Sequence, residues 1–203
     1  MSTSADLFEV LDRARTLGVL GPGPVQDHID HAGRFVTALT GLPAGSRIVD
    51  LGSGGGVPGL VIADRCPELQ VVLLDAMHRR TALLAEAISR LGWADRVSVL
   101  QSRAEIFGRD PSVRGSFDAV TARSFGPPAT VAECAAPLLR AGGLLVVSEP
   151  PEQADRWPAV GLEQLGLRTE PPSIPGLQLL RQVEPCPERF PRRDGVPAKR
   201  PLF

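Results

Sequence analysis

Residues 48–59 read Ile-Val-Asp-Leu-Gly-Ser-Gly-Gly-Gly-Val-Pro-Gly, and this stretch restricts the chain to few folds. A short apolar run ends at Asp50 and Leu51, and glycines follow at 52, 54, 55, 56 and 59. The pattern is a buried strand that turns tightly into the N-terminus of a helix. Glycine tolerates the positive φ such a turn needs, and its missing Cβ lets a ligand approach the main chain closely. The candidate ligand contacts on the turn are Asp50, Gly52, Ser53, Gly54, Gly56, Pro58 and Gly59.

Strand-like and helix-like segments alternate around this turn. Leu7, Val10, Leu11, Ala14 and Leu17 stand at helical spacing and predict a helix over residues 5–17. A second helix is expected over 25–39, with Ile29, Phe35, Val36 and Leu39 as its apolar face. Strands are expected at 47–51, 70–74, 96–100, 117–122 and 144–148, the last introduced by Gly142 and Gly143. Helices are expected at 58–65, 79–91 and 128–139, and a late strand at 177–183. Near-continuous apolar strands separated by helices imply a parallel sheet covered on both faces, hence a doubly wound α/β domain. The expected division is an N-terminal helical segment, 1–45, and a main domain, 46–203, ending in a basic tail. Prolines at 151, 158, 171, 172, 175, 185, 187, 191, 197 and 201 should keep the last quarter irregular or at sheet edges.

Composition narrows the class. The chain has 203 residues, 43% of them hydrophobic, which suits one globular domain with a full core. No apolar run reaches membrane-spanning length, and the N-terminus lacks the basic start and apolar stretch of a signal peptide, so a cytoplasmic protein is expected. Cys66, Cys134 and Cys186 are too scattered for a disulfide framework or a zinc site, and no metal is expected. Nothing demands more than a monomer. The net charge of −1 announces no global field for nucleic acid. Locally, Arg189, Arg192, Arg193, Lys199 and Arg200 face a single acid, Asp194, so the tail is a candidate phosphate-contacting arm, with a solvated tail as the alternative.

Two cofactors compete for the glycine turn. Gly54, Gly56 and Gly59 fit the dinucleotide fingerprint, and Asp75 lies about 20 residues on, where a ribose-binding acid belongs. Two details favour S-adenosyl-L-methionine (SAM). The frame starting at Gly52 has Val57 where its third glycine should stand. A carboxylate such as Asp50 beside the turn suits a cofactor with an ammonium and a sulfonium, and has no evident use beside an anionic pyrophosphate. Asp75 and Ala76, at the end of the second strand, are then candidates for the ribose, and Arg103, Ala104 and Glu105, in the loop with Ser102 after the third strand, for the adenine.

Arg123 emerges where the fourth strand ends and is the candidate catalytic residue, also counted among the cofactor contacts. The Asn/Asp-Pro-Pro-Tyr/Phe motif of amino-directed nucleic-acid methylation is missing there, and no cysteine nucleophile follows the strand. An arginine fork suits guanine or phosphate. Guanine N7 carries an in-plane lone pair, so its methylation needs positioning and no general base. His28 and His31, on the second helix, are expected to be structural or exposed. Arg79 and Arg80 start a helix, where cations oppose the dipole, which hints that they serve something outside it.

These residues resemble the bacterial 16S rRNA guanine-N7 methyltransferase family, RsmG or GidB. The resemblance is carried by Val-Asp-Leu-Gly-Ser-Gly-Gly-Gly-Val-Pro-Gly at 49–59, Leu-Leu-Asp at 73–75 with Arg79 and Arg80, Gln-Ser-Arg-Ala-Glu at 101–105, Thr-Ala-Arg-Ser-Phe at 121–125 and the tail from Arg189 to Leu202. It implies a class I SAM-dependent, Rossmann-like methyltransferase with a seven-stranded, mostly parallel sheet whose last strand is antiparallel. It implies N7 methylation of one guanine in the decoding-site loop of 16S rRNA, on rRNA or the 30S subunit. RNA contacts are implied for Arg79, Arg80, Arg192, Arg193, Lys199 and Arg200. The region before residue 32 departs from the family: its Trp-Asn and Asn-Leu-Thr signatures are missing, Asp27 stands where an Arg precedes the His, and His31 replaces an acid. That region belongs to the substrate side.

Overall fold

The computed structural model describes residues 4–150, 156–171 and 173–203. Pro151 and Pro172 lie outside the described residues. Two helices lead, α1 (Ser4–Thr16) and α2 (Val25–Leu39). Then come β1 (Arg47–Leu51), α3 (Gly59–Arg65), β2 (Gln70–Asp75), α4 (His78–Leu91), β3 (Val97–Gln101) and α5 (Ala104–Phe107). The second half adds β4 (Phe117–Ala122), α6 (Pro128–Ala135), β5 (Leu139–Ser148), α7 (Ala159–Glu163), β6 (Leu167–Thr169), β7 (Leu177–Gln182) and α8 (Val196–Lys199).

The strands form one seven-stranded sheet in the order β3-β2-β1-β4-β5-β7-β6. β1 to β5 pair in parallel, and β7 runs antiparallel between β5 and β6. The sheet is therefore doubly wound and mostly parallel, with its last strand antiparallel. The strand order reverses at β1, which has β2 on one side and β4 on the other. Ligands in such sheets bind outside the carboxyl ends at this switch point.

Alternation along β1 sorts the core. Ile48 packs into the cluster under α1 to α4, while Val49 and Leu51 pack into the opposite one under α5 to α7. Leu7, Val10, Leu11, Val25, Ile29 and Phe35 share the first cluster with Leu60, Val61 and Ile62 of α3. The N-terminal helices thus cover one face of the sheet and share its core. α4 stops where Gly92 takes a left-handed φ of 71° and its N–H closes onto the carbonyls of Ile88 and Ser89.

Three departures from the sequence expectation have local causes. The sixth helix ends at Ala135, before Pro137, which has no N–H to extend it. The fifth strand begins at Leu139, because Leu139 already pairs with Phe117; a register shift between Phe117 and Ala119 then takes up the glycine pair before pairing resumes at Leu144. α5, α7, α8 and β6 are three to five residues long, too short to show a periodicity.

Candidate functional site

The glycine turn sits at the switch point. Gly52, Gly54 and Gly56 have φ of 68°, 55° and 97°, the left-handed region where side chains are strained. The N–H groups of Gly52 and Ser53 bond to Leu74 O at 2.8 and 3.0 Å, which fastens the turn to the end of β2. Gly59 has a second reason to be glycine: a Cβ there would meet Leu73 at 2.3 Å and the Asp50 carboxylate at 2.7 Å.

Two carboxylates already hold the donors that a pyrophosphate would need. Asp50, 1% exposed, accepts the Gly59 N–H at the start of α3 (3.2 Å) and the Thr121 hydroxyl (2.8 Å). Burial raises its pKa to about 6, against the opposing pull of those hydrogen bonds and of Arg123. Asp75, 4% exposed, accepts the Gly54 N–H at 3.0 Å and the Met77 N–H at 2.9 Å. With the turn and the helix start so occupied, a dinucleotide finds little of its usual anion site. A neutral ribose or a cationic group meets no such conflict.

An open cavity of about 270 Å³ lies over the turn. Of the expected cofactor contacts, Gly52, Asp75, Ala76, Arg103, Ala104 and Glu105 line it. Asp50, Ser53, Gly54, Gly56, Pro58 and Gly59 lie beneath, shaping the turn, and do not line the cavity. Arg80, expected among the RNA contacts, lines it too, beside Asp75 at 3.4 Å, with a buried Nε that has no partner among the described residues. Phe125, Thr130, Cys134 and Ala198 complete the wall and were not singled out from the sequence. Phe125 covers Gly52 so closely that a Cβ there would stand 2.8 Å from its ring. Burial pushes the Cys134 thiol well above its ordinary range, with Glu105 and Glu133 adding to the shift, which disfavours the thiolate.

The tail folds back onto this cavity. The Gly195 N–H bonds to Glu105 at 3.0 Å, Asp194 pairs with Arg103, and Pro197 O accepts from Thr130 at 3.2 Å. Arg192 is partly buried and committed to a partner inside the protein. Its guanidinium grips Glu133, 0% exposed, through Nε at 2.8 Å and Nη2 at 2.6 Å. Arg193, Lys199 and Arg200 are exposed, and Arg79 is exposed with one bond to Leu17 O at 2.8 Å.

Arg123 turns toward α2. Its Nη2 lies 2.5 Å from His28 Nδ1, while His28 Nε2 lies 3.0 Å from Gly21 O. A carbonyl only accepts, so Nε2 carries the proton and Nδ1 accepts from the arginine. His28 is structural, as expected, but what it holds is the candidate catalytic residue. His31 bonds to Ser148 at 3.1 Å. Burial lowers its pKa, helped by Arg123, Arg34 and His28.

Among the described residues no helix is long and apolar enough to cross a membrane, and no cluster of His, Cys, Asp and Glu could hold a metal ion. The family model described as rRNA small subunit methyltransferase G matches residues 31–159. The ribosomal RNA small subunit methyltransferase G of Prochlorococcus marinus (strain MIT 9313) is 41% identical over 167 residues, 77% of this chain and 68% of that protein. The protein of the same name from Roseiflexus castenholzii is 37% identical over 168 residues, 78% of this chain and 71% of that one. A cofactor-bound crystal structure from MTB aligns with a TM-score of 0.63 at 22% identity, over 90% of this chain and 91% of that one, a likeness of fold. With its glycine turn, its buried acids and these relatives taken together, the chain belongs to the rRNA small subunit methyltransferase G (GidB) family.

Proposed function

We propose that this chain transfers a methyl group from SAM to a guanine of small-subunit rRNA, and that the acceptor is N7 of a guanine in the decoding-site loop of 16S rRNA. Family membership supports the cofactor and the rRNA guanine. The observation that carries the reading is the carboxylate pair under the turn. Asp75 keeps lone pairs for ribose hydroxyls, and Asp50 supplies negative charge beneath the cationic end. The residues fit SAM for that reason. Gly52, Asp75 and Ala76 would hold the methionine and ribose side, and Arg103, Ala104 and Glu105 the adenine side.

SAM supplies an electrophilic methyl carbon whose bonding electrons leave on sulfur. The protein's share is positioning. Guanine N7 attacks through its own lone pair and loses no proton, which matches a site where Arg123 is cationic and His28 is committed to holding it. Arg123 would orient the guanine or its phosphate. Arg79, Arg193, Lys199 and Arg200, all exposed, are the proposed RNA contacts. The acting species is a monomer on rRNA or the 30S subunit.

Arg123→Ala tests the assignment. Methyl transfer to small-subunit rRNA is expected to fall by roughly 100-fold or more, the scale on which loss of a charged positioning group acts. SAM affinity by calorimetry should change by less than about 3-fold, since the residue does not line the cofactor cavity. A fully active variant would remove Arg123 from the reaction.

A further inference from the structure

A second cavity, of about 340 Å³, lies beside the first and shares Ser124 and Phe125 with it. Its size is at the small end for ligand pockets. Ser124, between the two, is held at a φ of 54°, the one non-glycine residue at positive φ among those described. The far wall comes from the end of β5 and the segment beyond it, with Ser148, Glu149, Arg156 and Trp157.

One side chain in that wall has unused hydrogen-bonding capacity. The Glu149 side chain is only 14% exposed; its Oε2 accepts from Arg156 at 2.8 Å, which aims the carboxylate. Its Oε1 has no partner among the described residues. The Trp157 Nε1–H is buried, with no surface open to the cavity, so Trp157 presents its ring there and not its N–H.

One cavity thus offers an anionic acceptor and the rings of Phe125 and Trp157. Among the bases only guanine presents the complement on one edge: two adjacent donors, N1–H and the 2-amino group. Adenine would set its N1 lone pair against the carboxylate, and uracil its O2. With the N1 and 2-amino edge on Glu149, N7 lies across the ring, toward the wall that this cavity shares with the first. Enzymes that act on a base commonly unstack it into such a pocket.

We propose that this second cavity receives the target guanine, with Glu149 accepting from N1–H and the 2-amino group and the rings of Phe125 and Trp157 walling the base. The assignment rests on the guanine reading above and makes Glu149 the residue that selects guanine.

The test compares wild type, Glu149→Gln and Trp157→Ala on an RNA carrying either guanine or inosine at the position the wild type methylates. SAM affinity and thermal unfolding are followed in parallel. Inosine, which lacks the 2-amino group, should cost the wild type roughly 10–100-fold in kcat/KM. Glu149→Gln should lose a similar factor on guanine, and its inosine penalty should shrink below about 3-fold. Trp157→Ala, which removes a ring from the wall, should lose roughly 10-fold on both RNAs. SAM affinity should stay at the wild-type value throughout. Full activity of Glu149→Gln on guanine, or an undiminished inosine penalty in it, would overturn the assignment. Should that variant unfold, full activity of Trp157→Ala would do so. If the wild type methylates no guanine at all, the functional reading fails and this assignment with it, an outcome distinct from the other two.

Discussion

Arg192→Ala is expected to destabilise the fold by about 3–5 kcal/mol, because it strands a buried charge. Glu133 sits on α6 with no exposed surface, and its carboxylate accepts three bonds from Arg192: the backbone N–H at 2.8 Å, Nε at 2.8 Å and Nη2 at 2.6 Å. Alanine keeps the first of these and removes the charge that offsets the desolvated carboxylate. For a domain of this size the melting temperature should drop by roughly 10 °C or more, and the urea midpoint should fall with it. Arg192→Lys, which keeps the charge and loses the two-pronged geometry, should lie between. The Glu133→Leu, Arg192→Met double variant should recover much of the loss, since an apolar pair removes both charges. Unchanged stability with weakened RNA binding would return Arg192 to the RNA-contacting set.

Asp75→Ala should weaken SAM binding by roughly 100-fold or more. Hydrogen bonds to a charged group contribute about 1.5–3 kcal/mol each, and an ionised carboxylate in a largely buried position has few substitutes. The variant also frees the N–H groups of Gly54 and Met77, so the turn keeps only its Gly52 and Ser53 bonds to Leu74 O at the end of β2. Asp75→Asn separates the two effects. It keeps one accepting oxygen for the turn and should retain more of the stability than of the affinity. Calorimetric titration with SAM, alongside urea unfolding, reads both. An affinity equal to wild type would place the ribose elsewhere.

Much of this site was legible along the chain because its signals are local. The glycine spacing at 52, 54, 56 and 59 needs only turn chemistry, and β1, β2 and β4 announce themselves as apolar runs. Asp75 could be placed because a strand ends there. What stayed hidden depends on contacts between distant residues. His28 and Arg123 are 95 positions apart, and nothing on α2 marks its histidine as the arginine's support. Glu133 and Arg192 are 59 apart, so a run of basic residues read as an exposed arm while one member was anchored inside. The tail's return to Glu105, 90 positions back, made Ala198 part of the wall of the cavity over the glycine turn. Cutting off the tail therefore removes part of that wall as well as exposed cations, and point variants of Lys199 and Arg200 are the cleaner probe of RNA contact.

The most direct measurement is transfer of labelled methyl from SAM to 30S subunits and to free 16S rRNA that lack the modification, followed by mapping of the modified base. The expected result is one 7-methylguanine in the decoding-site loop. SAM binding at the Asp75 site with no label in either RNA, or label at an atom other than guanine N7, would contradict it.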